Sequence, residues 1–247
     1  MAAPVKSSAT SRSVRVLSID IGGNGLKAAL VDLHGKLLTQ RVRIPTPYPC
    51  PPAVMIDSIA ELVAPLPKHQ RIAAAFPGVV RGGDVVTAPH FGTKDWAGFD
   101  LSRSLSQRLG GRCLLINDAE MHGLAAVRGK GIELMLTLGT GAGTGLFRDG
   151  AIMPHLELAH HPVHKDKSYN DYVGERALKT AGKKRWNRRV EKVIAILYSL
   201  LNFDHLYIGG GNSCQITFEL PPAVTLVTND AGIVGGGILW QRMTRAA

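Results

Sequence analysis

The strongest constraint on how this chain folds is a pattern that occurs twice, over 100 residues apart. VRVLSIDIGGNGLKAALVDLHGKLL, residues 14–38, is an apolar run, a glycine turn at 22–25 and a second apolar run. ELMLTLGTGAGTGLFRDGAIM, residues 133–153, repeats the plan and adds an Asp-Gly turn at 149–150. Short apolar runs bounded by glycine read as buried strands joined by tight turns. Two such hairpins predict two related halves facing one cleft.

The first turn also carries chemistry. Residues 23–28 fit G-x-G-x-x-A, the dinucleotide fingerprint, but that motif needs a helix next to receive the pyrophosphate. Here 26–33 and 36–38 read as strands, with His34-Gly35 as the turn between them. Where an acid is expected about 20 positions beyond the glycines, the chain has Arg41 and Arg43. A hairpin lying against a phosphate is the better reading, because glycines let backbone N–H groups approach phosphate oxygens. Asp20 beside them would repel the phosphate unless it holds Mg²⁺ directly or through water. The plain alternative is a hairpin with a capping Asp.

A formal net charge of +10 over 247 residues favours a polyanionic partner: nucleic acid, a nucleotide or an inorganic polymer of phosphate. No run of 18 apolar residues exists, so no membrane span is expected. MAAPVKSSATSRS, residues 1–13, lacks the apolar stretch of a signal peptide and reads as a disordered tail. Cys50, Cys113 and Cys214 lie far apart, which fits a reducing cytoplasm better than a disulfide framework.

Between the hairpins, the Pro-rich PTPYPCPP at 45–52 reads as a connector that cannot be regular structure. Residues 53–64 read as an amphipathic helix, 71–76 as a buried strand, 100–109 as helical, 112–116 as a strand ending at Asn117-Asp118, and 119–127 as a helix. After the second hairpin come one long basic helix over about 175–201, a strand over 205–212 and a terminal helix. Alternating strands and helices place the chain in the α/β class.

Seven motifs in this order, DIGGNGLK (20–27), FPGVV (76–80), NDAE (117–120), LTLGTGAG (136–143), ELAHHP (157–162), YIGGGNS (207–213) and NDAGIVGG (229–236), make the chain resemble the ROK sugar kinases of the actin/hexokinase-like superfamily. It looks most like their polyphosphate-glucokinase branch. The resemblance implies a two-lobed, actin-like (ribonuclease H-like) fold with a cleft between the lobes. The expected division is a smaller lobe over 14–118, a larger one over 119–228, and a terminal helix over 229–247 returning to the first.

Phosphorylating a sugar hydroxyl requires a base at the hydroxyl, a clamp on the phosphates and exclusion of water. The resemblance makes Asp118 the base, with Gly78, Asn117, Glu157, His160 and Asn170 at the sugar. Asp20, Gly22, Gly23, Asn24, Gly25 and Lys27 would form the first phosphate loop, with Asp20 near Mg²⁺. Gly139, Thr140 and Gly141 would form the second clamp, and Gly209, Gly210 and Gly211 would face the nucleotide or polyphosphate. The implied donor is polyphosphate and/or ATP, the implied acceptor a hexose such as glucose, and the implied assembly a homodimer.

Three positions depart from the common pattern: Asn24, Ala159 in place of the glycine of E-x-G-H, and Asn170 where the family has a glutamate. Asp171 and Glu175 are the acids that could substitute for the last. The cysteine cluster that carries zinc in many relatives is missing, so no zinc is expected despite His160, His161 and His164.

LKTAGKKRWNRRVEK, residues 178–192, adds Lys184, Arg185, Arg188 and Arg189 as candidates for a polyanionic donor. At helical spacing Arg185, Arg188, Arg189 and Lys192 share a face, while Trp186, Val190, Val193 and Leu197 pack inward. A solvated helix face is the plain alternative. Rival functions are an ATP-dependent kinase for mannose or fructose and a non-catalytic sugar binder. A DNA-binding relative would need a helix-turn-helix ahead of the body, and only residues 1–13 precede Val14, so no nucleic-acid partner is expected.

Overall fold

The computed structural model describes residues 14–228 and 230–245; the expected tail over 1–13 and Asn229 lie outside them. Two five-stranded sheets share one plan. In the first, β1 (Val16–Ile21), β2 (Leu26–Val31) and β3 (Val42–Ile44) form an antiparallel meander. Beyond helix α1 (Pro52–Val63), β4 (Arg71–Phe76) joins parallel to β1. A small sheet of β5 (Val80–Arg81), β6 (Asp84–Val85) and β7 (Phe99–Asp100), with helices α2 (Thr93–Trp96) and α3 (Leu101–Leu109), precedes β8 (Arg112–Asn117), which pairs parallel to β4. The order is β3-β2-β1-β4-β8.

Helix α4 (Asp118–Ala126) leads into the second sheet. There β9 (Ile132–Leu138), β10 (Ala142–Arg148) and β11 (Ala151–Ile152) form the meander. A hairpin of β12 (Pro162–His164) and β13 (Lys167–Ser168) is followed by helices α5 (Tyr169–Val173), α6 (Glu175–Ala181) and α7 (Lys183–Leu201). The parallel strands β14 (His205–Gly209) and β15 (Val224–Leu226) complete the order β11-β10-β9-β14-β15. Helix α8 (Ala231–Arg245) closes the chain.

The period-two alternation of each central strand sorts its side chains into separate cores. Leu17, Ile19 and Ile21 of β1, with Ile72, Ala74 and Phe76 of β4, pack with α1 and α3. Leu134, Leu136 and Leu138 of β9 pack with α5 and α7. The opposite faces, including Val16, Ala73, Ala75, Met135 and Tyr207, enclose α4 and α8 between the sheets. Close approach there depends on glycine in α8: a Cβ on Gly235 would strike the Met121 carbonyl, and one on Gly236 the Ser18 hydroxyl. Each interior glycine costs a helix about 1 kcal/mol, which the packing offsets. Trp240 anchors the other end, donating its Nε1–H to Ile72 O at 2.8 Å.

Three expectations need correction. Residues 36–38 form no strand: the partner of Val31 is reduced to a single bridge with Leu37, and β3 takes the sheet edge. Pro52 belongs to α1, at a first-turn position where a missing N–H costs nothing. The long basic helix is two helices, because Gly182 adopts φ +75° and breaks the run between α6 and α7.

Candidate active site

Both glycine turns open onto one cavity of about 520 Å³. The first closes through a Gly22 N–H donated to Gly25 O at 3.1 Å. Two hydroxyls from the Pro-rich connector hold it from behind: Thr46 Oγ1 donates to Gly22 O and Tyr48 OH to Gly23 O, each at 2.6 Å. Asp20, at the end of β1, is 5% exposed and paired with Lys27 Nζ of β2 at 2.9 Å. The β1–β2 register places these two directly opposite, so the pair follows from the hairpin itself.

The second turn closes through Gly139 N–H to Gly141 O at 2.9 Å. Asn170 Oδ1 accepts from Ala142 N–H at 2.7 Å, Asn212 Nδ2 donates to Gly139 O at 3.0 Å, and the Glu175 N–H donates to the same carbonyl at 2.9 Å. The two turns touch: Asn24 Nδ2 donates to Thr140 Oγ1 at 3.1 Å.

Asp118 starts α4 where β8 ends. Asn117 caps that helix, its Oδ1 accepting from Ala119 and Glu120 N–H groups at 2.8 and 3.3 Å, while its Nδ2 donates to Gly78 O at 3.1 Å. This reciprocal cap, with Glu120 reaching back to the Asn117 N–H, fixes the backbone of Asp118 and so aims its carboxylate into the cavity. Removal from water, reinforced by the charges of Asp20 and Glu157, pushes the Asp118 carboxyl up to about 6 against the opposing pull of His122 and the Ala119 N–H.

Beside it runs a carboxylate–imidazole–carboxylate chain. His155 Nδ1 lies 3.0 Å from Glu120 Oε1, and its Nε2 3.5 Å from Glu157 Oε2. Burial alone would lower the His155 pKa, but the hydrogen bonds and charges of both glutamates raise it to about 9. Burial likewise works against the charge on Glu157, yet His155, His160 and the Ala159 N–H hold its carboxyl below the usual range. His90 stands across the cavity with its pKa lowered, by burial first and then by His160.

The cavity thus brings together Asp20, Gly22, Gly23, Asn24, Gly25, Lys27, Gly78, Asn117, Asp118, Gly139, Thr140, Gly141, Glu157, His160, Asn170, Gly210 and Gly211. Gly209 is not in the lining. A Cβ there would meet Met135 and Val227, so its glycine serves core packing. Lys184 is exposed, and Arg185, Arg188 and Arg189 line a different cavity. Of the two acids held in reserve for Asn170, Asp171 is spent in a cap with Ser168, while Glu175 borders the cavity and pairs with Lys179 at 2.6 Å. His155, His90 and His122 escaped the sequence reading. Only His155 left a trace, two residues before Glu157, a spacing that puts side chains on one side of an extended segment.

Residues 16–161 match the ROK family. A polyphosphate glucokinase of Mycobacterium tuberculosis (strain CDC 1551 / Oshkosh) is 32% identical over 241 residues, covering 89% of this chain and 89% of that protein. The chain belongs to the ROK family. Among solved structures, the inorganic polyphosphate/ATP-glucomannokinase of Arthrobacter sp. strain KM superposes with a TM-score of 0.83 at 28% identity, over 94% of this chain and 99% of that one. A ROK glucokinase from Streptomyces griseus, in complex with glucose and AMPPNP, shares the fold at a TM-score of 0.76 and 20% identity, over 91% and 98% of the two chains. The ROK kinase fold of these neighbours is the two-lobed α/β architecture that the two sheets of this chain build.

Proposed function

We infer that the chain is a hexose kinase that moves a phosphoryl group from polyphosphate or ATP to the 6-hydroxyl of a hexose, with glucose the favoured acceptor. The observation that carries this is the position of Asp118, a carboxylate with a raised pKa in a cavity walled by two glycine turns. The hydroxyl oxygen attacks the terminal phosphorus, Asp118 takes the hydroxyl proton, and the shortened polyphosphate or ADP leaves with the electron pair of the broken P–O bond. With a pKa of about 6, Asp118 is ionised at neutral pH and more basic than an ordinary carboxylate. Glu157 and His160, with the second Nδ2–H of Asn117, are the groups we assign to the sugar hydroxyls.

Among the described residues no cluster of three or more His, Cys, Asp or Glu side chains is arranged for a metal. Mg²⁺ on a phosphate donor needs less, since one or two carboxylates, phosphate oxygens and water complete its shell. Asp20, buried and lining the same cavity, fits that role. When bound, the ion neutralises charge on the donor.

We assign residues 14–118 and 119–228 to two lobes that close on the substrates. A cytoplasmic homodimer is proposed from the family resemblance, and three free cysteines fit a reducing compartment. No helix among the described residues is long and apolar enough to cross a membrane.

The test is an assay of glucose, mannose and fructose against ATP and long-chain polyphosphate, reading hexose 6-phosphate. Turnover is expected, fastest with glucose. Glucose binding by calorimetry without turnover from any donor would overturn the enzyme reading in favour of a non-catalytic sugar binder.

A further inference from the structure

Helix α5 stands between two cavities. Asn170 borders the catalytic one, whereas Tyr172 borders a second, of about 720 Å³. Its walls are the β12–β13 hairpin, with Lys165 and Lys167, and α7, with Arg185, Arg188, Arg189 and Lys192. No carboxylate lines it, and none of these six cations is ion-paired among the described residues. Arg189 is only 9% exposed; it donates to Tyr172 O at 3.3 Å, and its guanidinium lies 5.0 Å over the Tyr172 ring. A buried cation without a counter-charge, in a cavity of like charges, is electrostatically costly unless an anion enters.

The cavity also restricts which anion. Single-stranded nucleic acid binds through stacked bases as well as phosphates, but the face of Tyr172 is already covered by Arg189. A second copy of this chain brings another net charge of +10. An inorganic chain of phosphates needs no stacking partner and carries a charge at every unit. We propose that this cavity is a second phosphate-chain site, holding a distal stretch of linear polyphosphate whose end lies in the catalytic cavity. The proposal rests on the donor reading above. A short donor fills the catalytic cavity alone; a long one occupies both.

Binding of tripolyphosphate and of polyphosphate about 100 units long should be measured by calorimetry on the full chain, with turnover of ATP and of both phosphates in parallel. Wild type should bind the long chain at least about tenfold more tightly, with a steep salt dependence. The triple variant Arg185→Gln, Arg188→Gln, Lys192→Gln changes exposed side chains and should lose about tenfold or more of long-chain affinity. Its turnover of ATP and tripolyphosphate should be unchanged. Lys165→Gln with Lys167→Gln, on the other wall, should act in the same direction, which guards against a folding defect in α7.

Unchanged long-chain affinity in both variants overturns the site. Equal loss with ATP, tripolyphosphate and the long chain also overturns it, because the cations then serve the catalytic cavity. Displacement of the long chain by a 20-nucleotide RNA at equal phosphate concentration would make the cavity a nucleic-acid site instead. Long-chain binding that the variants abolish, with no turnover of polyphosphate by wild type, would sink the donor reading and leave the site standing.

Discussion

The two sheets have the same strand order, yet their glycine turns are built for different work. Asp20, the penultimate residue of β1, has Thr137 as its counterpart in β9. One half therefore brings a carboxylate and its Lys27 partner to the cavity, and the other brings a hydroxyl that accepts the Gly143 N–H at 3.2 Å. The parallel strand β8 ends at Asn117, followed by the Asp118 carboxylate in the cavity, whereas the next acid after β15, Asp230, pairs with Arg41 at 2.7 Å and is not in the cavity lining. The turns are also held differently. Hydroxyls donate to the carbonyls of the first, and carboxamides and a helix N–H secure the second. Repetition sets where the turns go, and individual residues, both within the repeated strands and in the segments packed against them, decide what each turn does.

The sharpest way to break this asymmetry is Asp118→Asn, which removes the carboxylate that follows β8 in the cavity. Loss of a general base should lower kcat by about 10²–10⁴-fold while glucose binding persists. The same change should raise the melting temperature. The folded-state pKa of Asp118 is raised from 3.8 to about 6, so its ionisation costs stability that is lost as pH rises through about 6. Relief in the variant should reach at most about 3 kcal/mol at pH 8 and vanish below pH 3.8. Near-normal turnover by this variant would remove Asp118 from the role.

Much of this arrangement was legible in the sequence because it is local. Apolar runs marked the central strands, glycine marked both turns, and the end of the strand over 112–116 marked Asn117 and Asp118. What escaped is what depends on contacts between distant segments. Nothing near Tyr48 says that its hydroxyl meets Gly23, and nothing near His155 says that Glu120, 35 residues back, lies 3.0 Å away. The break at Gly182 was hidden because helical residues flank it on both sides and a lone glycine is often tolerated inside a helix. Helical spacing puts the basic residues of α7 on one face, but the opposite wall on the β12–β13 hairpin is set by the fold alone.

A second asymmetry is the imidazole bridge, which joins Glu120 of the first turn of α4 to Glu157 of the second half. His155→Gln removes the cation between the two carboxylates and can keep at most one of its two hydrogen bonds, each worth roughly 1.5–3 kcal/mol, so kcat/KM for the sugar should fall about tenfold or more. Wild-type kcat/KM should form a plateau. It falls on the acid side as Asp118 protonates near 6 and on the alkaline side as His155 loses its proton near 9. The variant should lose the alkaline limb and keep the acid one. His155 also stabilises the fold in the same direction: with its pKa raised from 6.5, its contribution is complete below 6.5 and is lost as pH rises through about 9. An alkaline limb that survives in the variant would free His155 of this role.

The two ways of holding a turn can be compared directly. Asn170→Ala leaves the Ala142 N–H without its acceptor, at a cost of roughly 1–3 kcal/mol. Tyr48→Phe removes a donor from a Gly23 carbonyl near solvent, at roughly 0.5–1.5 kcal/mol. Donor KM should therefore rise about tenfold in the first and only a few-fold in the second. Asn170→Asp, which keeps an acceptor, should restore most of the loss. Equal effects at the two sites would mean that the turns are held alike.

The smallest effect is expected where the two halves touch. Asn24 Nδ2 to Thr140 Oγ1 is a neutral hydrogen bond between exposed side chains, worth about 0.5–1 kcal/mol. It ties the turns together at the distance at which both face one donor, so it preorganises the phosphate clamp. Asn24→Ala and Thr140→Val should each raise donor KM about two- to fivefold with kcat little changed. Because each change removes the same bond, the double variant should be no worse than either single one, a coupling that a double-mutant cycle reads directly. Additive losses would show that Asn24 and Thr140 contact the donor separately. A lower donor KM in Asn24→Ala would show that the bond must open before phosphate can enter.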